Sequence, residues 1–158
     1  MPINYDPIFT NIGLNKIAAA ILNESSIELT TIKVGDSLPD LNYQPLPTDL
    51  DIQNFVAFTN VSYIHYLDLR ESNNTILRVK GTINYQDSED YTLREYGVYD
   101  SFGDLIIVGR LKDTEMKAPA DIRTELEIVI NIAIHDSQKA FIINHVPDSV
   151  YVSDIDLI

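Results

Sequence analysis

Cysteine is absent from all 158 residues, which excludes disulfides and thiolate metal sites and fits synthesis in a reducing cytoplasm. The opening Met1-Pro2-Ile3-Asn4-Tyr5-Asp6-Pro7 has no basic stretch followed by an apolar run, so no secretory signal is expected. Nowhere do about eighteen apolar residues run together, so no spanning helix and no membrane insertion are expected. The six glycines, Gly13, Gly35, Gly81, Gly97, Gly103 and Gly109, stand singly, and neither a dinucleotide fingerprint nor a phosphate loop is present. Basic residues are few, 11 against 24 acidic ones, giving a formal charge of -13. A field of that sign repels phosphate backbones and anionic membranes, so nucleic acid is excluded as a partner. The acidity reads as a solvated surface, or as a match for a partner with a basic socket.

Reactive groupings are equally scarce. His65, His135 and His145 show no His-x-His or His-x-x-x-His spacing, so no metal ligand set is expected. His135-Asp136-Ser137 holds the letters of a hydrolase triad, but triads are assembled from separate segments of a fold, and the run reads as a surface turn. Asp100-Ser101-Phe102-Gly103-Asp104 lacks the alternating acidic ligands and distal glutamate of a calcium loop and reads as a tight hairpin turn. No catalytic residue, cofactor or metal is assigned, and the chain is expected not to be an enzyme.

What is present is a pattern of strands behind one helix. The length suits a single domain that buries about two-thirds of its unfolded surface. Ile12, Leu14, Ile17, Ala18, Ile21 and Leu22 recur at helical spacing, predicting a helix from Thr10 to Asn23, capped by Thr10 or Asn11 and closed by a left-handed Asn23. Ile27, Leu29, Ile32 and Val34 predict a strand whose alternation slips by one residue, the sign of a bulge. Residues 37–51, with Pro39, Pro45 and Pro47, predict a long surface loop. Phe55 to Leu69 reads as one strand of a hairpin with Leu77 to Tyr85. Tyr91 to Tyr99 and Asp104 to Gly109 read as the next hairpin, turning at Gly103, and residues 111–120 as a polar connection. Ile128, Ile130, Ile132 and Ile134 mark the strongest strand. The fold class is α+β or mostly β: an N-terminal helix followed by an antiparallel sheet or sandwich of about seven strands. The expected division is a domain over 1–136 and a C-terminal extension, a partner-docking segment, over 137–158.

Arg94 and Glu95 are adjacent charges in an otherwise apolar and aromatic strand, pointing to opposite faces; each needs a partner, internal or across a subunit interface. Thr10-Asn11-Ile12-Gly13-Leu14 with Ile17-Ala18-Ala19-Ala20 resembles the opening helix of the N-terminal domain of phage tail-collar fibre proteins. Ile27 to Asp36, ending on Val34-Gly35-Asp36, is similar to that family's next strand and turn. Leu93-Arg94-Glu95-Tyr96-Gly97-Val98-Tyr99-Asp100 with Gly103-Asp104-Leu105-Ile106-Ile107-Val108-Gly109 is similar to its most specific block. The resemblance runs from Thr10 to Ile134 and makes Gly13, Leu14, Gly35, Asp36, Arg94, Glu95, Gly97, Asp100, Gly103, Asp104 and Gly109 structural motif residues.

The resemblance implies a structural component that attaches fibres to the baseplate, or bridges baseplate subunits, in a contractile phage tail or a bacteriocin-like particle. It implies other tail proteins and fibre subunits as partners, a homo-oligomer such as a trimer, and residence in the virion. Family members continue into a shaft and receptor-binding tip, so a chain of this length is expected to attach rather than to recognise a host. The expected assembly contacts are Ile3, Tyr5, Ile8 and Phe9 at one end and Val150, Tyr151, Val152, Ile155, Leu157 and Ile158 at the other. The alternative function is a receptor- or carbohydrate-binding module of a tail tip, with Tyr43, Tyr63 and Tyr66 as stacking platforms.

Overall fold

The computed structural model describes residues 4–69, 74–84, 91–116, 125–135 and 142–144. Thr10 opens the helix α1 (Asn11–Asn23): its hydroxyl accepts the Gly13 N–H at 2.9 Å and donates to the Leu105 carbonyl at 2.6 Å. The left-handed cap falls one residue later than the sequence suggests. Glu24, not Asn23, takes the left-handed conformation, φ 53°, because the Glu24 and Ser25 amides turn back onto the Ile21 and Ala20 carbonyls. The buried stripe is Gly13, Ile17 and Ala20, so the bulkier Leu14, Ile21 and Leu22 lie outside. Gly13 explains the choice: a Cβ there would sit 2.5 Å from the Ile106 carbonyl oxygen, so the helix rests on the sheet at its one residue without a side chain.

Nine strands accompany the helix among the described residues: β1 (Ile8–Phe9), β2 (Ile27–Gly35), β3 (Phe55–Asn60), β4 (Tyr63–Leu69), β5 (Asn74–Asn84), β6 (Tyr91–Asp100), β7 (Leu105–Met116), β8 (Glu125–His135) and β9 (Ile142–Asn144). They form two sheets. The first has the order β1-β7-β6-β2-β3, and the second β4-β5-β8. All these neighbours are antiparallel; only β9, drawn from the segment expected to be an extension, pairs parallel, Ile27 to Leu29 facing Ile142 to Asn144. The domain is therefore mostly β, a helix followed by antiparallel sheets.

Two sequence expectations change here. Phe55 to Leu69 is not one strand but two, divided at Val61-Ser62. The Val61 amide still bonds to Thr30 beside the first sheet, while the Ser62 amide bonds to Lys80 in the second. The chain thus changes sheets, and with it the buried parity passes from Ala57 and Val61 to Ile64. Residues 111–116 are also not a connection: β7 runs on to Met116, pairing with Tyr91 to Leu93. The predicted bulge is present, as a register shift between Leu29 and Thr31 against β6.

One core joins both sheets and the helix, including Ile17, Ile32, Val98, Ile107, Leu77 and Ile130. At Gly81 the two sheets approach closely enough that a Cβ would meet Ile32 and Thr59 within 3 Å. Residues 95–100 and 105–110 are buried without a break, so β6 and β7 are covered on both faces. The second sheet and the shared core cover one face. Residues 36–54 cover the other.

Candidate partner-docking surface

The segment 36–54 has no strand or helix of its own, yet it is fastened to the sheet at many points. Glu95 is fully buried and accepts the Gln53 N–H at 2.8 Å. Arg110, also buried, donates from Nη1 to the Ser37 hydroxyl and from Nη2 to the Leu41 carbonyl, each at 3.0 Å. Arg94, half-buried, donates to the Asp36 carbonyl at 3.1 Å. The Tyr99 hydroxyl donates to Asp51 and accepts the Ile52 N–H, and the Tyr43 hydroxyl donates to Asp49 within the segment. The internal partners required of Arg94 and Glu95 are thus found, and both belong to this one stretch of backbone.

Burial pushes the Glu95 carboxyl up to about 7; the Gln53 amide and Arg110 pull it down, while the charges of Asp49 and Asp51 add to the rise. Burial, then the neighbouring carboxylates, likewise hold the Tyr43 and Tyr99 hydroxyls above their ordinary range. Among the described residues, Glu95 Oε2 and Arg110 Nε have no hydrogen-bond partner.

Several of the other motif residues make close contacts or hydrogen bonds, while Leu14 is exposed. A Cβ at Gly35 would strike the Asn54 carbonyl, one at Gly97 would meet Leu105 at 2.6 Å, and one at Gly109 would meet the Tyr96 ring. Asp36 accepts the Leu38 amide and the Asn54 side chain. At the β6–β7 turn, Asp100 Oδ1 accepts the Phe102 and Asp104 amides, and Gly103 takes φ 84°. Lys16 reaches across from α1 to Asp100 at 2.5 Å and Asp104 at 2.6 Å. Burial alone lowers the Lys16 ammonium, but the two carboxylates outweigh it and hold it above its ordinary value.

Outward, the same segment presents apolar side chains. Leu38, Leu41, Leu46 and Leu50 are exposed, Leu50 by 72%, and Phe55 and Phe58 on the adjoining edge strand stack at 6.4 Å with both rings exposed. The only charges within 36–54 are Asp36, Asp40, Asp49 and Asp51. The sequence does not mark these leucines as a surface, because in a proline-rich loop neither helical nor strand spacing says which side chains face out.

Of the residues expected to make assembly contacts, Ile8 packs with Tyr99, Leu105 and Val108, Phe9 packs on the main core, and Tyr5 is exposed. Ile3 and Val150, Tyr151, Val152, Ile155, Leu157 and Ile158 lie outside the described residues. The three tyrosines of the alternative reading do not share a platform. Tyr63 and Tyr66 sit three apart on β4 and so point to opposite faces; Tyr66 packs on the core, and burial pushes its hydroxyl up to about 12. His65 stacks on Tyr63 at 5.6 Å, His135 ends β8, and His145 lies outside the described residues.

The fold and its buried polar groups thus define a two-sheet structural domain in which Glu95, Arg110 and Arg94 hold a surface loop in place. The sequence model of one family, described as phage tail-collar fibre protein, N-terminal, matches residues 1–152, and the chain belongs to that family. It is accordingly a structural component of a phage tail fibre, associated with other tail components in the virion. Neither the curated proteins nor the solved structures contain a match.

Proposed function

We propose that the chain is the fastening domain of a tail fibre, attaching fibres to the baseplate or bridging baseplate subunits, and that it does so without catalysis. The observation that carries this is the set of exposed leucines, Leu38, Leu41, Leu46 and Leu50, on a segment held from beneath by Glu95, Arg110, Arg94 and Tyr99. Hydrogen bonds fix the backbone in advance, so binding through these side chains loses little chain entropy. Burial of leucine supplies the attraction, on the order of 2 kcal/mol for each side chain fully withdrawn from water. The four aspartates around them select a partner whose apolar socket is rimmed by Lys or Arg. Tyr5 and the segment 150–158 are proposed as further contacts of the same joint.

The test is to place Leu41→Ser and Leu50→Ser together in the phage that encodes the chain, and to measure fibre content in purified tails by quantitative mass spectrometry. Both side chains are exposed, so the variant is expected to fold with an unchanged melting temperature while fibre incorporation falls at least tenfold. Normal incorporation by a folded variant overturns the proposal.

A further inference from the structure

Residues 36–54 lie on the sheet without joining its core. Only Ser37, Pro45 and Ile52 of the segment are buried, and neither apolar cluster of the domain contains any of its residues. Its ties to β6 and β7 run through the side chains of Arg94, Glu95, Tyr99 and Arg110. A surface stretch held by polar bonds rather than by apolar burial opens by itself, at a free energy below that of global unfolding.

Of those four side chains, Glu95 is the one whose charge changes near neutral pH, and its two oxygens stand in different situations. Oε1 accepts the Gln53 N–H at 2.8 Å, whereas Oε2 is buried with no hydrogen-bond partner among the described residues. A proton on Oε2 therefore leaves the bond to the segment intact. Without that proton, a full negative charge sits in a carboxyl with no exposure to solvent, and burying such a charge unpaired is costly.

The surroundings sharpen the contrast. From the segment, Asp49 and Asp51 repel the ionised carboxyl; from β7, Arg110 attracts it, although its Nη1 and Nη2 are engaged by Ser37 and the Leu41 carbonyl. Tyr43 on the segment and Tyr99 on β6 direct their hydroxyls to those same aspartates, Asp49 and Asp51. On β2, Gly35 lies opposite Glu95, and Lys33 sits over the Tyr99 ring at 4.4 Å. Ionisation thus sets Glu95 against two carboxylates of the segment it holds. We infer that Glu95 is a proton-operated latch for the leucine-bearing surface: with its carboxyl neutral the segment is seated, and with it ionised the segment opens more often and holds its partner less tightly. Burial first, and the facing aspartates next, raise the carboxyl from 4.5 to about 7. The seat is firmest below the lower value, loosens as pH rises towards the upper one and changes little beyond it. The effect on docking rests on the reading that residues 36–54 meet the partner.

Hydrogen exchange of the whole chain measures the latch without any partner. Corrected for intrinsic chemical exchange, protection of the Gln53 amide and its neighbours in the segment should fall by roughly tenfold or more between pH 5 and pH 8, while amides of β8 remain better protected at every pH. Glu95→Gln, neutral and of the same shape, should abolish the fall, and in the parent the Glu95 carboxyl carbon should titrate by NMR over the same range. Docking is read from purified tails of the phage that encodes the chain. After incubation at pH 5 or pH 8, the chain freed into solution should be roughly threefold more abundant at pH 8, and equal at the two pH values for tails carrying Glu95→Gln. Protection that does not change with pH, or that changes equally in Glu95→Gln, overturns the latch. Equal release from parent tails at the two pH values overturns its hold on docking. Normal fibre incorporation by the variant with Leu41→Ser and Leu50→Ser, alongside the expected exchange result, removes the docking reading and leaves the latch standing.

Discussion

Glu95 and Arg110 stand directly opposite each other on β6 and β7, and both direct their hydrogen bonds to residues 36–54. Adjacent buried charges of opposite sign would be expected to satisfy each other. Here the attraction between them remains while the directional bonds hold the surface segment, so the pair acts as two clamps and its removal is felt at the outer face.

The pH dependence follows from the same carboxyl. Its folded value, about 7, lies above its ordinary 4.5, so between those values the folded chain holds a proton the unfolded chain has released. The contribution to stability is present below pH 4.5 and is lost as pH rises through 7. Glu95→Gln keeps an acceptor for the Gln53 amide and removes the titration. In urea denaturation the variant should gain stability on the parent between pH 5 and pH 8, by roughly 2 kcal/mol in total. A difference that is constant with pH would refute this assignment.

The contact of α1 with β7 tolerates no added atoms. Gly13→Ala is expected to lower stability by about 1–3 kcal/mol in urea denaturation, because the new methyl must displace the helix from the Ile106 carbonyl. Gly103→Ala has open space around its Cβ and suffers only from its positive φ, so a loss of roughly 1 kcal/mol is expected.

Lys16 has two carboxylate partners of unequal weight. The Asp100 side chain is buried and also accepts two backbone amides, whereas the Asp104 side chain is 44% exposed. Asp100→Ala should cost about 2–3 kcal/mol and Asp104→Ala about 0.5 kcal/mol, both read from denaturation midpoints at constant slope.

Removal of residues 150–158 tests the terminal contacts. Among the described residues the hydrophobic core runs from Phe9 to Ile134, and the shortened protein is expected to unfold cooperatively near the parent temperature. It should be missing from assembled tails. Parental incorporation would remove the terminus from the joint.

The sequence made much of the fold legible where one rule governed the residues. Ile128, Ile130, Ile132 and Ile134 alternate because only one face of β8 meets the core, and that strand is readable by eye. The break at Val61-Ser62 was hidden because apolar residues occur on both sides of it and nothing local shows a change of sheet. The helix ends at Asn23 as expected, but its left-handed cap falls on Glu24, a residue without special liking for positive φ, because returning amides hold it there. The site was half visible. The oddity of Arg94 and Glu95 announced a need for partners, but those partners lie more than forty positions away, in a loop whose path no periodicity records.

The seat of α1 on the sheet has a wider meaning for how this surface can change. With a bare backbone at position 13 touching β7, the rotation of the helix about its axis is locked by the smallest residue it contains. Whatever evolves at the exposed positions 14 and 22 is displayed in a fixed direction.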